Sequence, residues 1–96
     1  MYFAIKLLSP RPTFPQDITP EEIAIMQLHR AYWKNYMDQG IMLIYGPVLD
    51  PAGVYGLGIV DVKDEEHLKP LLVNDPASRI GKYVYHQMMA VVPGPL

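Results

Sequence analysis

Two residue types that often exchange protons stand far apart in the sequence, at His29 and Asp75. A histidine ring can take up or release a proton near neutral pH, and a neighbouring carboxylate can orient it and stabilise its charged form. Each residue also has an ordinary structural explanation. His29 can be a core histidine bonded to a backbone carbonyl, and Asp75, between Asn74 and Pro76, can cap its own turn. Position alone leaves both interpretations open.

Basic and aromatic side chains supply further candidate contacts to a substrate. Arg11 in a loop and Arg30 on a helix could bind a carboxylate or a phenolate, although arginines in such places more often form surface ion pairs. The aromatic residues of the first helix and the last strand favour core and interface packing over a cofactor site. They are Tyr32, Trp33, Tyr36, Tyr83 and Tyr85.

Several other chemistries are disfavoured by residue type or spacing. The chain has no cysteine, which removes disulfides, thiolate nucleophiles and thiolate metal ligands together. The histidines at 29, 67 and 86 lack metal-ligand spacing, so we expect no metal site. The glycines at 53, 56 and 58 open no helix, as a dinucleotide-binding loop would, and neither serine resembles a nucleophile elbow.

Length and composition set the scale of the protein. With 96 residues, half of them hydrophobic, the sequence predicts one domain over residues 1–96. The net charge of -2 and the absence of a long basic run disfavour nucleic acid as a partner. No stretch is long enough to cross a bilayer, and the N-terminal run is interrupted by Lys6, so we expect a cytoplasmic protein without a membrane partner.

Local signals predict the elements that must position these side chains. Tyr2 to Leu8 reads as a first strand, followed by a proline-rich loop from Ser9 to Ile18. Thr19-Pro20-Glu21-Glu22 combines an N-cap, a proline at the first helical position and a capping box. The helix that begins there should end near Asp38, with Gly40 as its left-handed cap.

The second half of the chain predicts two strands, a helix and a last strand. Ile41 to Tyr45 reads as a strand ended by Gly46-Pro47, and Val54 to Val62 as the next strand. Asp64-Glu65-Glu66 opens a shorter helix that Pro70 should kink or shorten. Lys82 to Val92 forms the final strand.

This order is βαββαβ, which gives an α+β, ferredoxin-like fold with a four-stranded antiparallel sheet and both helices on one face. The strands, however, carry apolar residues on both faces. Tyr55, Leu57 and Ile59 alternate with Val54, Val60 and Val62. Since helices can cover only one face, the other face must meet a second sheet or a ligand cavity, and we expect a homodimer in which two sheets pack together.

Winding the first helix at about 100° per residue puts His29 near the middle of a broad apolar arc. The chain also resembles the YCII-related (YciI-like) family, from Tyr2 to Pro93. The resemblance rests on a helix histidine, a glycine at the helix end, a strand ending in Gly-Pro, a helix ending in Asp-Pro and a glycine before the last strand. In this sequence these are His29, Gly40, Gly46-Pro47, Asp75-Pro76 and Gly81.

The resemblance implies a ferredoxin-like subunit of a dimeric α+β barrel, with His29 and Asp75 as a catalytic pair. Related barrels, such as muconolactone isomerase-like and chlorinated-hydroquinone dehydrochlorinase-like enzymes, move protons on small cyclic acids or phenols. We therefore expect a cofactor-free lyase or isomerase that acts on a small cyclic or aromatic-derived, anionic or phenolic substrate. The expected substrate contacts are Arg11, Tyr32, Trp33, Gly46 and Pro47.

Two non-enzymatic alternatives use the same fold. In a small-ligand-binding or regulatory dimer, His29 would only hydrogen-bond to the ligand. In a purely structural dimer, no polar group would face a cavity. The proline-rich loop from Ser9 to Ile18 is longer than the resemblance leads one to expect, and it could form a lid over the site.

Overall fold

The chain forms four strands and two helices in a computed structural model, which describes residues 1–95. The elements are β1 (Tyr2–Leu8), α1 (Pro20–Asp38), β2 (Met42–Val48), β3 (Tyr55–Asp61), α2 (Glu65–Asn74), a 3₁₀ turn (Pro76–Arg79) and β4 (Lys82–Met88). All neighbouring strands are antiparallel, in the order β2-β3-β1-β4. This is the ferredoxin-like α+β arrangement, and the prediction of the fold is confirmed.

Helix α1 begins and ends where its capping residues predict. The Thr19 hydroxyl accepts from the backbone N–H of Glu22, and the Glu22 carboxylate accepts from the backbone N–H of Thr19, which completes the capping box. After the last helical residue, Asp38, the chain turns at Gly40 with φ +77°, a backbone conformation that side chains disfavour.

Strand β2 is longer than predicted, because it continues through Gly46 and Pro47 to Val48. It lies at the edge of the sheet and pairs with β3 on one side, where Pro47 stands opposite Gly56. A proline lacks a backbone N–H, but at a sheet edge that group would have no neighbouring strand to bond. The Gly-Pro pair therefore does not end the strand.

The observed ends of β4 and β3 also differ from the predicted ends. Strand β4 ends at Met88, and not at Val92, because its partner β1 begins at Tyr2, which pairs with Met88. Strand β3 is one residue shorter at each end than predicted. Helix α2 contains Pro70 but continues to Asn74.

The core lies between the sheet and the helices. Phe3, Ile5 and Leu7 alternate along β1 with less buried residues, as one face of a strand should. These side chains meet Trp33 from α1 and apolar side chains of α2 and the other strands. The further core residues are Met42, Val60, Val62, Leu68, Leu71 and Leu72.

The apolar arc of α1 is narrower than the helical wheel predicts. At about 100° per residue Ile23 and Leu28 fall on this arc, yet they are 43% and 53% exposed, whereas His29 and Trp33 are buried. The cause is geometric, since a helix lying on a sheet contacts it along one stripe only. Among the described residues, no helix is both long enough and apolar enough to span a membrane.

The opposite face of the sheet is apolar and uncovered in this chain. Ile44 on β2, Leu57 on β3 and Met88 on β4 are 67%, 37% and 41% exposed. The strand registers place all three on the face away from the helices, with Ile44 on the same side as Ile59 and Leu57 opposite Lys6. The apolar character of both faces, predicted from the sequence, is therefore present in the fold.

Candidate active site

His29 and Asp75 lie in direct contact although 46 positions separate them in the sequence. His29 comes from the inner face of α1, and Asp75 stands at the end of α2. The Nδ1 atom of His29 is 2.7 Å from one carboxylate oxygen of Asp75 and 2.9 Å from the other. The two side chains are 3% and 0% exposed. They form a buried pair within one chain.

Asp75 is surrounded by hydrogen-bond donors. The indole Nε1 of Trp33 donates to it at 2.9 Å, the backbone N–H of Ala77 donates at 2.9 Å, and the hydroxyl of Tyr83 also donates. Burial raises the pKa of Asp75, but the bonds from His29, Tyr83 and Ala77 outweigh it and hold the pKa below the ordinary value. Asp75 is therefore an ionised acceptor that caps the 3₁₀ turn and orients His29 at once.

The hydrogen bonds assign the tautomer of the neutral His29 ring. Because the ionised Asp75 can only accept, Nδ1 carries the proton that is donated to it. The other ring nitrogen, Nε2, is then an acceptor, and the hydroxyl of Tyr45 lies 2.6 Å from it. The chain of contacts runs from Asp75 through His29 to Tyr45.

Tyr45 occupies a place on the sheet made by two glycines of β3. An added Cβ at Gly56 would collide with the Tyr45 hydroxyl, and one at Gly58 would come within 2.7 Å of the ring. The ring also stacks on Trp33, with centroids 6.3 Å apart. Burial raises the pKa of Tyr45, with the nearby negative charge of Asp75 adding to the effect. The hydroxyl is therefore protonated at neutral pH.

A cavity of about 600 Å³ opens beside this chain of contacts. That volume is within the range of small-molecule sites. Its lining includes His29, Tyr45 and Trp33, and most of the rest of the wall is apolar. The apolar wall includes Leu7, Met26, Met37, Val54 and Ile80. The proline-rich loop contributes Ser9, Pro10, Phe14, Pro15 and Ile18, so this loop is part of the site.

Two cations line the cavity, and no carboxylate side chain of residues 1–95 does. Arg30 and Lys34 stand four residues apart on α1, which places them on the same side of the helix. Lys34 also pairs with Asp38 at 3.3 Å, where both side chains are about two-thirds exposed. In a chain whose net charge is -2, a cavity wall with these two charges favours an anionic ligand.

The structure brings some of the predicted substrate contacts to the cavity and leaves others away from it. Trp33, Gly46 and Pro47 line the cavity. Tyr32 does not line it; its hydroxyl instead donates to the backbone carbonyl of Leu71. Among the two arginines considered, Arg30 lines it and Arg11 lies outside.

Arg11 binds two carboxylates of its own chain. Its guanidinium donates to Glu22 through two nitrogens at 2.7 Å, and to the Asp17 carboxylate at 2.9 and 3.0 Å. The bond from Arg11 holds the pKa of Glu22 at about 2. With these bonds the guanidinium fastens the proline-rich loop to the start of α1, which leaves it poorly placed to bind a substrate.

Sequence reasoning missed Tyr45 and assigned Tyr83 to packing. Tyr45 is the last residue of the strand predicted from Ile41, and its place before Gly46-Pro47 carries no signal of contact with a helix. The glycine spacing at Gly56 and Gly58 was the one available hint, since it indicates that a bulky group approaches β3 closely.

Among residues 1–95, no group of three or more histidine, aspartate and glutamate side chains is placed to hold a metal ion. The model of the YCII-related domain matches residues 2–90. No curated protein matches the chain. The family match extends from β1 to just beyond β4 and includes His29, Tyr45 and Asp75. The chain therefore belongs to the YCII-related domain family.

Proposed function

We propose that this protein is a cofactor-free enzyme that moves a proton on a small cyclic or aromatic-derived anion. The observation that carries the proposal is the buried chain Asp75–His29–Tyr45, which ends at a cavity. This ring has an ionised carboxylate on one nitrogen and, on the other, a hydroxyl that lines the cavity. That is the arrangement of an oriented acid/base.

In the proposed reaction, the neutral His29 ring accepts a proton from an acidic C–H or O–H bond of the substrate. Asp75 orients the ring and stabilises the imidazolium that forms. The electron pair left on the substrate then expels a leaving group such as chloride, or takes a proton back at another carbon. The first outcome is a lyase reaction and the second an isomerisation.

The cavity wall supports the substrate class. An apolar lining accepts a hydrocarbon ring, and the cations Arg30 and Lys34 can bind its carboxylate or phenolate. We propose Arg30 for this contact in place of Arg11, whose donors are occupied by Asp17 and Glu22.

The test is deuterium incorporation from heavy water into a panel of probes, followed by NMR. The panel contains an unsaturated five-membered lactone bearing a carboxymethyl group, its methyl ester and a chlorinated hydroquinone, for which chloride release is also measured. The expected result is exchange or turnover that falls by at least about 100-fold in His29→Ala. His67→Ala is the control. Equal rates in wild type and His29→Ala would contradict the proposal.

The second candidate is a small-ligand-binding or regulatory dimer. The same cavity and cations favour it, since they recognise an apolar anion whether or not a proton moves. Binding of a probe without any exchange or turnover would favour this function over the enzyme.

We further propose that two chains pair through the apolar sheet face to form the dimeric α+β barrel. Ile44, Leu57 and Met88 lie exposed on that face, and monomers rarely expose such a patch. A cytoplasmic location is also proposed, since a chain without cysteine does not depend on an oxidising compartment. Cell fractionation tests the location.

A further inference from the structure

We infer that Tyr45 is the residue that exchanges the proton directly with the substrate, and that His29 and Asp75 act behind it. The inference rests on the proposed function and deepens it by naming the group that touches the reacting atom. It assigns a catalytic role to a strand residue that sequence reasoning had not singled out.

Access to the histidine is the first argument. Nδ1 of His29 faces Asp75, and Nε2 faces the hydroxyl of Tyr45 at 2.6 Å. Both residues line the cavity, but His29 is 3% exposed and its Nε2 is bonded to the Tyr45 hydroxyl, whereas Tyr45 is only half-buried. A proton passing between the cavity and Nε2 therefore has the Tyr45 hydroxyl in its path.

The place occupied by the Tyr45 ring is the second argument. Gly56 and Gly58 leave space on β3 where any side chain would collide with the phenol, and Trp33 stacks on it. The ring of His29 meets that of Tyr45 edge to face, with centroids 4.9 Å apart. These contacts hold the hydroxyl on Nε2 and fix which part of the cavity it faces.

The step balances with groups that the site contains. The substrate C–H or O–H bond breaks and its proton bonds to the Tyr45 oxygen, while the Tyr45 O–H proton bonds to Nε2 of His29. The electron pair stays on the substrate as an enolate or phenolate, and His29 becomes an imidazolium beside Asp75. Because burial keeps the Tyr45 phenol protonated, the hydroxyl passes a proton on rather than acting as a phenolate.

The first experiment needs no substrate. Tyr45→Phe keeps the ring on the glycines and removes only the hydroxyl, so the ¹⁵N shift of Nε2 in His29 should move toward that of an unbonded imine nitrogen, while Nδ1 stays protonated. Tyr36→Phe, a tyrosine that packs against the same core but has no bond to His29, is the matched control. An unchanged Nε2 shift in Tyr45→Phe would overturn the inference.

The second experiment measures deuterium incorporation into the carboxymethyl lactone. We expect Tyr45→Phe to lose about 100-fold or more in rate. With 3-fluorotyrosine at position 45, which lowers the phenol pKa and keeps the hydroxyl, exchange is expected to persist with a pH profile shifted to lower pH. A residue that merely holds His29 in place would leave the profile where it is.

The outcomes separate this inference from the proposed function. Exchange that survives in Tyr45→Phe at the wild-type rate, but is lost in His29→Ala, overturns the role of Tyr45 and leaves the proposed function intact. Exchange absent from the wild-type protein for every probe overturns both. Loss in both variants, with the shifted profile of the fluorinated protein, supports both.

Discussion

The carboxylate of Asp75 accepts hydrogen bonds from His29 and from the backbone N–H of Ala77 at the same time. One side chain thus ends helix α2, starts the 3₁₀ turn and orients the ring on α1. The position of His29 is coupled in this way to the fold of residues 74–79. A change at Asp75 should therefore affect both stability and the site.

Asp75→Asn is expected to reduce the free energy of unfolding by about 2 to 4 kcal/mol. The amide has nearly the same shape, but its NH₂ group must face donors from Trp33, Tyr83 or Ala77. Urea denaturation at neutral pH measures the change. Asp38→Asn, which alters only an exposed pair with Lys34, should change stability by less than about 1 kcal/mol.

The difference in stability between wild type and Asp75→Asn should depend on pH. The pKa of Asp75 in the folded protein lies below its ordinary value of 3.8. Its ionised form therefore stabilises the fold above that value, and this stabilisation is lost as the pH falls through the lowered pKa. The difference in stability between wild type and Asp75→Asn should narrow below pH 3.8. A difference that grows in acid would contradict this reasoning.

Arg11→Gln should release the proline-rich loop. Without the guanidinium, the pKa of Glu22 should rise from about 2 toward its ordinary 4.5, which carboxyl ¹³C titration measures. In the wild type the ion pair stabilises the fold above pH 4.5, and this contribution is lost as the pH falls toward about 2. Faster amide exchange at Phe14 and Ile18 should accompany the substitution, whereas Arg79→Gln should leave both readouts unchanged.

Leu57→Glu should separate the proposed dimer. Leu57 lies on the uncovered face of a central strand, where a charge would be desolvated by a second sheet. Sedimentation equilibrium should show a dimer for wild type and a folded monomer for the variant. Leu28→Glu, which changes an exposed leucine on α1, should remain dimeric. A well-folded wild-type monomer at micromolar concentration would remove the proposed barrel.

Arg30→Gln should weaken binding of benzoate by about two- to fivefold, the effect of one exposed ion pair. Binding of benzamide, which has the same ring without the charge, should change little. Isothermal titration with both ligands makes the comparison, and Lys69→Gln on α2 serves as the control. Equal loss for both ligands would mean that Arg30 acts through packing and not through its charge.

The sequence alone determined the order of the elements and their capping, because these depend on neighbouring residues. Thr19 and Glu22 form a capping box across three positions, and Gly40 supplies a turn that side chains disfavour. The alternation along β3 likewise predicted two apolar faces of the sheet. Strand ends were less predictable, since β4 stops where β1 offers no further partner at Tyr2.

The site was decided only by tertiary structure. The sequence supplied His29 and Asp75 as candidates, but their contact depends on how the end of α2 packs against α1. Tyr45 reached His29 because strand register places it over Gly58, and register is a property of two strands together. Either arginine could bind an anion by residue type, and Arg11 was the expected contact, but folding brought Glu22 and Asp17 to Arg11 and the cavity to Arg30. Contacts between distant segments follow from packing, which no local pattern contains.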